Sequence, residues 1–380
     1  MSKKRIAIVV GTRPEVVKCA PVIRALNSSP VFTPLVIFTG QHDTMAEQAF
    51  SSLGVAPDIR LNLMQKDQTP LSFLGLALNA LEGCFKAENL YGVLVQGDTS
   101  SALAGALVAH HLQLPCGHIE AGLRTFLRYS PFPEEMNRTL ISELSVLHFC
   151  PTEGARNNLL AQGVLHGLHT VGNTVVDALF FMREEIRTGR INIDPLVADI
   201  CKKKAPLVLV TGHRRENFDG PIERLCNALI EIHAAYPECE IVYPVHLNPR
   251  VSSTVNKLLK DSPGITLLEP LDYPSLLALI EHATLVITDS GGIQEEAPSF
   301  GTPVLVTRES TERPEAIDTG AAKLTPLAEE TALVTEAVTI LKAPPARPLE
   351  PKNPFGDGKA SSRIVEILTS EWREQADLLK

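Results

Sequence analysis

Leu207–His213 reads LVLVTGH. Five apolar or β-branched residues in a row, closed by a glycine, mark a strand buried on both faces, because the polar alternation of a half-exposed strand is missing. What precedes the run gives it its meaning. Residues 182–206, MREEIRTGRINIDPLVADICKKKAP, are charged and irregular, whereas after Leu207 short apolar runs recur at EIVYPVH (240–246), ITLLEP (265–270), LVITDSG (285–291) and PVLVTR (303–308). The first half shows the same texture in RIAIVV, PLVIFTG, GVLVQGD, CGHIE and LHFCPT, with helical spacing between them in EVVKCAPVIRALN and SSALAGALVAHHL. Strand and helix alternating through both halves, with a break near 175–205, predict an α/β protein of two doubly wound, Rossmann-like domains. The domains are expected at 1–175 and 176–360, and 361–380 should form an amphipathic helix that packs back on the first domain. Ligands of such sheets sit beyond the carboxyl ends of the strands, so the site is expected in the cleft between the domains.

The length of 380 residues suffices for two such cores. A net charge of -9 argues against nucleic acid or an anionic membrane as main partner, since both need a basic field over a whole face. No apolar run approaches the ~20 residues that span a bilayer. MSKKRIAIVVGTR passes from a basic start into a strand with no small-residue cleavage site. No membrane insertion is expected, and a cytoplasmic location is. The seven cysteines are scattered and form no C-x-x-C, which points away from a disulfide framework or a zinc knuckle.

Titratable groups recur where the strands run out: Asp98 after VLVQG, Glu120 after CGHI, His213 after LVLVTG and, more weakly, His246 in YPVH. Asp98 alone reads as the N-cap of the helix that follows. In GTRPEVVK, Gly11 permits a turn while Arg13 and Lys18 bring charge to a helix start, either as a phosphate site or as two solvated cations beside an ordinary turn. TDSGGIQEE is more specific. Ser290, Gly291 and Gly292 leave bare amides at a helix start, which suits a diphosphate, and Glu296 is spaced to reach a ribose diol. In HIEAGLRTFLRYSPFPEEMNR, Pro133 with Glu134 and Glu135 begins a helix, and Arg124 and Arg138 either limit carboxylate repulsion or hold that helix start. His118 and Glu120 imitate the H-x-E of zinc deaminases, yet no P-C-x-x-C follows. There is no G-x-G-x-x-G and no Walker lysine. Neither a metal nor a cofactor is expected.

Taken in order, GTRPEVVK, TGQH, QGDT, HIEAGLRT, PFPEEMNR, GHRREN, PVHLNP, TDSGGIQEE and NPFGDGK resemble the non-hydrolysing UDP-N-acetylglucosamine 2-epimerases over nearly the whole chain. The resemblance implies a GT-B-like architecture, a UDP-sugar substrate, interconversion of UDP-GlcNAc and UDP-ManNAc through a glycal without cofactor, and a homodimer. It implies that Asp98, Glu120 and Glu134 form the acid/base group. His213 joins the catalytic set by meeting the charge that builds on the departing diphosphate. Arg13, Lys18, Arg138, His246, Ser290, Gly291, Gly292 and Arg313 fall to UDP binding, and Glu296 to the ribose. Repulsion among the three carboxylates should raise at least one pKa. Asp43 and Asp67 stand where relatives carry arginine for a second UDP-GlcNAc, so a second diphosphate is expected to bind poorly. Leu276 stands where an aromatic often lies near uracil, which leaves base recognition to the backbone. A GT-B glycosyltransferase would share the SGG turn and Glu296 but needs no three carboxylates in the first half. An epimerase of a related UDP-2-acetamido sugar is the nearer alternative.

Overall fold

The computed structural model describes residues 3–40, 43–65, 67–212, 220–348 and 351–372. Packing divides the chain into two compact units: one runs to Met182 and resumes at Phe355, and the other is Arg183–Pro354.

Unit 1 holds a parallel sheet of seven strands: β1 (Lys4–Val10), β2 (Phe32–Phe38), β3 (Ile59–Arg60), β4 (Leu90–Gln96), β5 (Cys116–Ile119), β6 (Leu147–Cys150) and β7 (Leu168–Thr170), in the order β3-β2-β1-β4-β5-β6-β7. Unit 2 holds six: β8 (Leu207–Thr211), β9 (Glu240–Pro244), β10 (Ile265–Leu268), β11 (Leu285–Thr288), β12 (Val304–Val306) and β13 (Ala322–Leu324), in the order β10-β9-β8-β11-β12-β13. Both are doubly wound. The order reverses between β1 and β4 in one sheet and between β8 and β11 in the other, and such switch points open the crevices where ligands bind. The ten apolar runs read from the sequence are all strands. The three that were missed, β3, β7 and β13, are two or three residues long, lie at sheet edges and are partly exposed, so they lack the continuous apolar signal of a central strand. The irregular stretch after Met182 proves helical in part, as the end of helix Thr174–Arg187 and as helix Pro195–Cys201, which Asp194 caps.

The core of unit 1 lies between β1, β2 and β4 and the helices Pro70–Ala87 and Ser100–His111. Helix Ser100–His111 packs against both Pro70–Ala87 and Glu134–Leu144. Its small residues Ala102, Ala104, Ala106 and Ala109 are fully buried, because a helix enclosed on several sides has no room for long side chains. In unit 2 the core joins β8, β9 and β11 to helices Pro221–Ala235, Pro249–Leu259 and Glu330–Lys342. Helix Ala360–Ser370 belongs to unit 1 and packs on helix Arg13–Ser28. Just beyond it Trp372 is buried and stacks on Tyr91 with ring centroids 6.4 Å apart. Its ring occupies space that only glycine leaves: a Cβ at Gly92 would lie 2.1 Å from it, and one at Gly117 would lie 3.3 Å from it.

Candidate active site

The carboxyl ends of β1, β4 and β5 bring three carboxylates, Glu15, Asp98 and Glu120, into one neighbourhood of unit 1. After β4 the chain turns through Gly97, at φ 68, to Asp98 and Thr99. Thr99 caps helix Ser100–His111 by accepting the Ala102 N–H at 3.1 Å. The capping role that the sequence left open for Asp98 therefore falls to its neighbour. The Asp98 carboxylate pairs instead with Arg138 at 2.5 Å, and Asn137 donates to the Asp98 carbonyl at 2.8 Å.

Glu120 ends β5 in the left-handed region, at φ 64, and is 9% exposed. Such a backbone is costly for a residue with a Cβ, and three donors hold the side chain in place: the Lys18 ammonium, the Gln96 amide and the Asn173 amide, the last at 3.0 Å. Lys18, assigned from the sequence to phosphate, is buried and placed against a carboxylate. Glu134 opens helix Glu134–Leu144 one turn before Arg138, on the same face. Its neighbour Glu135 accepts from Arg124 at 2.9 Å, from the Thr125 N–H at 3.0 Å and from the Phe126 N–H at 3.1 Å, and lies 3.7 Å from the Arg138 guanidinium. Burial would raise the Glu135 pKa, but these donors outweigh it and hold it low. Arg124 thus fixes the helix start, while Arg138 bridges Glu135 and Asp98.

Sequence reasoning passed over Glu15. It bridges the crevice between β1 and β4, accepting from the Gly11 N–H at 3.1 Å and from the Thr99 hydroxyl at 2.7 Å. Burial raises its pKa to about 7, and the bonds from Thr99, Thr12 and Gly11 pull against that rise. Glu15 lies outside the trio Asp98, Glu120 and Glu134 in which repulsion is expected to raise a pKa; its own rise has burial as first cause and the Asp98 charge as the last one. The T-x-x-E spacing of Thr12 and Glu15 is that of a capping box and was the available signal. His118 is fully buried, and its Nε2 donates to the Gly97 carbonyl at 2.7 Å. Burial lowers its pKa to about 4, which keeps the ring neutral and makes it a prop for the β4 turn. Arg13 is half-buried and forms no ion pair with a described residue.

In unit 2 the switch point carries Thr211 at the end of β8 and Thr288 at the end of β11, their hydroxyls 2.6 Å apart. Thr288 also accepts the Ser290 N–H at 2.9 Å, which shapes the turn into helix Gly291–Glu296. Ser290 is the N-cap residue and makes no side-chain cap bond among the described residues. Arg313 lies directly beneath Gly291, where a Cβ would meet its guanidinium at 2.5 Å. It is held there by Glu295 at 2.8 Å and Glu312 at 3.3 Å. Glu296 is 5% exposed and accepts from the Tyr273 hydroxyl at 2.9 Å. Near the ends of β9 and β10 a concave site of mixed polarity is lined by Val245, by residues 267–271, by Asn256 and, from helix Pro195–Cys201 and its cap, by Asp194, Leu196 and Val197. His246 stands exposed close by, its Nδ1 accepting the Asn248 N–H at 3.1 Å. His213 lies outside the described residues, as do Gln41 and His42 of the TGQH motif.

The family model described as UDP-N-acetylglucosamine 2-epimerase matches residues 24–369. The UDP-N-acetylglucosamine 2-epimerase of Salmonella typhimurium is 42% identical over 375 residues, covering 96% of this chain and 98% of that one. Among solved structures, UDP-GlcNAc 2-epimerase from Neisseria meningitidis bound to UDP-GlcNAc superposes with a TM-score of 0.89 at 36% identity, covering 97% of this chain and 100% of the other. The glycotransferase of kitacinnamycin, at 12% identity and a TM-score of 0.59 with 100% of this chain and 99% of that one covered, shares the fold alone and places it in the GT-B-like class.

Proposed function

Because this chain belongs to the UDP-N-acetylglucosamine 2-epimerase family, we propose that it interconverts UDP-GlcNAc and UDP-ManNAc by releasing and recapturing UDP. The observation that carries this reading is the carboxylate cluster of unit 1: Asp98 against Arg138, Glu120 held by three donors, and Glu134 one turn from Arg138. A glycosyltransferase would use the Ser290 turn and Glu296 and would have no task for that cluster.

In the forward direction the anomeric C1–O bond breaks and its electron pair leaves with UDP. The C2 proton passes to a carboxylate, and the C2–H pair becomes the glycal double bond. Re-addition of UDP to C1, with a proton delivered to the opposite face of C2, gives the epimer. The C2 proton is barely acidic, so removal must be concerted with departure of UDP, and a positioned base contributes roughly 100-fold or more. Charge building on the diphosphate is met by the amides and hydroxyl at Ser290, Gly291 and Gly292, by Arg13 and by His213, each such donor contributing ~3 kcal/mol. Glu296, oriented by Tyr273, takes the ribose hydroxyls. The concave site at residues 267–271, close in sequence to His246, takes the uracil through backbone groups. Arg313 supports the turn from below, and Lys18 serves Glu120. All seven cysteines are free thiols, which suits a reducing, cytoplasmic setting. We expect a homodimer, for which Leu71, Leu76 and Leu140 offer exposed apolar surface on unit 1.

Incubation with UDP-GlcNAc in deuterium oxide tests the reading. Deuterium should enter at C2, and UDP-ManNAc should accumulate to equilibrium. Absence of both would overturn it, and release of free ManNAc with UDP would mean hydrolysis instead. A second expectation concerns regulation. Asp67 occupies a turn at φ 57, and Asp43 opens helix Asp43–Ser52; with acids at these two positions a second diphosphate meets like charge. Epimerisation of UDP-ManNAc should therefore be hyperbolic in substrate with no added UDP-GlcNAc. A lag or sigmoid that trace UDP-GlcNAc abolishes would show that other residues build a second site.

A further inference from the structure

Asn173, between β7 and helix Thr174–Arg187, is 2% exposed. Its two side-chain ends have different duties. The carbonyl Oδ1 accepts the Val175 N–H at 3.1 Å, and the amide Nδ2 donates to Glu120 at 3.0 Å. The first bond fixes which end points where, since a flipped amide would set N–H against N–H. The backbone is pinned as well. The Asn173 N–H donates to the Phe355 carbonyl at 2.6 Å, where the chain returns to unit 1. One turn later Asp177 clasps the same returning segment through the Ala360 N–H at 3.1 Å and the Ser361 N–H at 2.8 Å.

We propose that Asn173 is a positioning residue for the epimerisation, acting by fixing the orientation of the Glu120 carboxylate. This rests on the acid/base role given to Glu120. A left-handed residue at a strand end has its backbone direction set by β5, and its carboxylate plane is set by whatever the two oxygens bond. Lys18 and Asn173 share one oxygen while Gln96 takes the other. Lys18 supplies charge from a flexible stem; Asn173 supplies direction from a clamped backbone. Titratable groups that feel the Glu120 charge include Cys19 on helix Arg13–Ser28 and His118 on its own strand; Cys19 also feels Glu15, and His118 also feels Asp98 and Arg138.

Two substitutions separate this from simple capping. Asn173→Ser and Asn173→Asp both keep an acceptor for the Val175 N–H, and Asn173→Ser brings no new charge, so a purely structural role leaves kcat and its pH profile as in the wild type in Asn173→Ser. The positioning role predicts a fall in kcat on the order of 10²-fold for each, the usual cost of a small misplacement of a reacting group, with KM for UDP-GlcNAc within about threefold. Asn173→Asp should in addition move the ionisation that limits kcat by about one unit, because a second carboxylate then faces Glu120. Circular dichroism and thermal melting identify any loss due to unfolding. Wild-type kcat and pH profile in Asn173→Ser, with Glu120→Gln inactive, would overturn the positioning role and leave the acid/base reading standing. Full turnover in Glu120→Gln would remove both.

Discussion

Asp98→Asn is expected to lower kcat by roughly 10²- to 10⁴-fold, the range of a lost general acid or base. Asparagine keeps the shape and one acceptor oxygen but has no proton to exchange at C2. Read from sequence alone, this variant should fold almost as the wild type, since asparagine caps a helix about as well as aspartate. The structure changes that expectation, because Thr99 is the cap and Asp98 is the ionic partner of buried Arg138. Losing the charge-assisted bond should cost about 1.5–3 kcal/mol, visible as a lower melting temperature while the protein still folds. Asp98 is therefore best assayed well below the melting point, beside Glu120→Gln and Glu134→Gln as companions. Slow leakage of glycal and UDP from one of the three would identify a carboxylate that acts in re-protonation. If all three keep turnover within threefold of the wild type, the acid/base assignment is wrong.

Trp372→Ala should destabilise unit 1 by about 3–5 kcal/mol, the cost of emptying a buried aromatic site that cannot collapse. Gly92 and Gly117 supply no side chain to fill the space, so relaxation would have to come from the sheet itself. Trp372 is the single tryptophan of the chain. The variant must then be followed by circular dichroism and by hydrogen exchange at β4 and β5 amides, where protection should drop most. In the wild type the same residue should emit at short wavelength and shift red as helix Ala360–Ser370 detaches. Unchanged protection of β4 and β5 would show that the sheet does not depend on this contact.

The fold was readable where burial on both faces wrote a continuous apolar run, as at Leu207–Thr211, and unreadable at the partly exposed edge strands. The turn into helix Gly291–Glu296 was readable for another reason: Ser290, Gly291 and Gly292 are adjacent, so the helix start is written locally. What failed were partnerships across the chain. Lys18 and Glu120 are 102 residues apart, and an isolated lysine near a helix start carries no mark of the carboxylate it will meet. Asp98 and Thr99 are both good caps, and only the geometry of the β4 turn decides between them. Glu15 sat in plain view inside a quoted motif, but its raised pKa comes from burial, a property of the packed unit and not of its neighbours in sequence.

The seat of Trp372 also dictates an order of assembly. Residues up to Met182 make the seven-stranded sheet, yet the piece that covers β4 and β5 begins only at Phe355, after the whole of Arg183–Pro354 has been made. On a ribosome adding roughly 5–20 residues per second, the first unit to emerge waits on the order of ten seconds or more for its last part. The second unit is uninterrupted and can close first. Synthesis and completion therefore run in opposite order, and the nascent sheet is at greatest risk of aggregation, and most in need of a chaperone, during that interval.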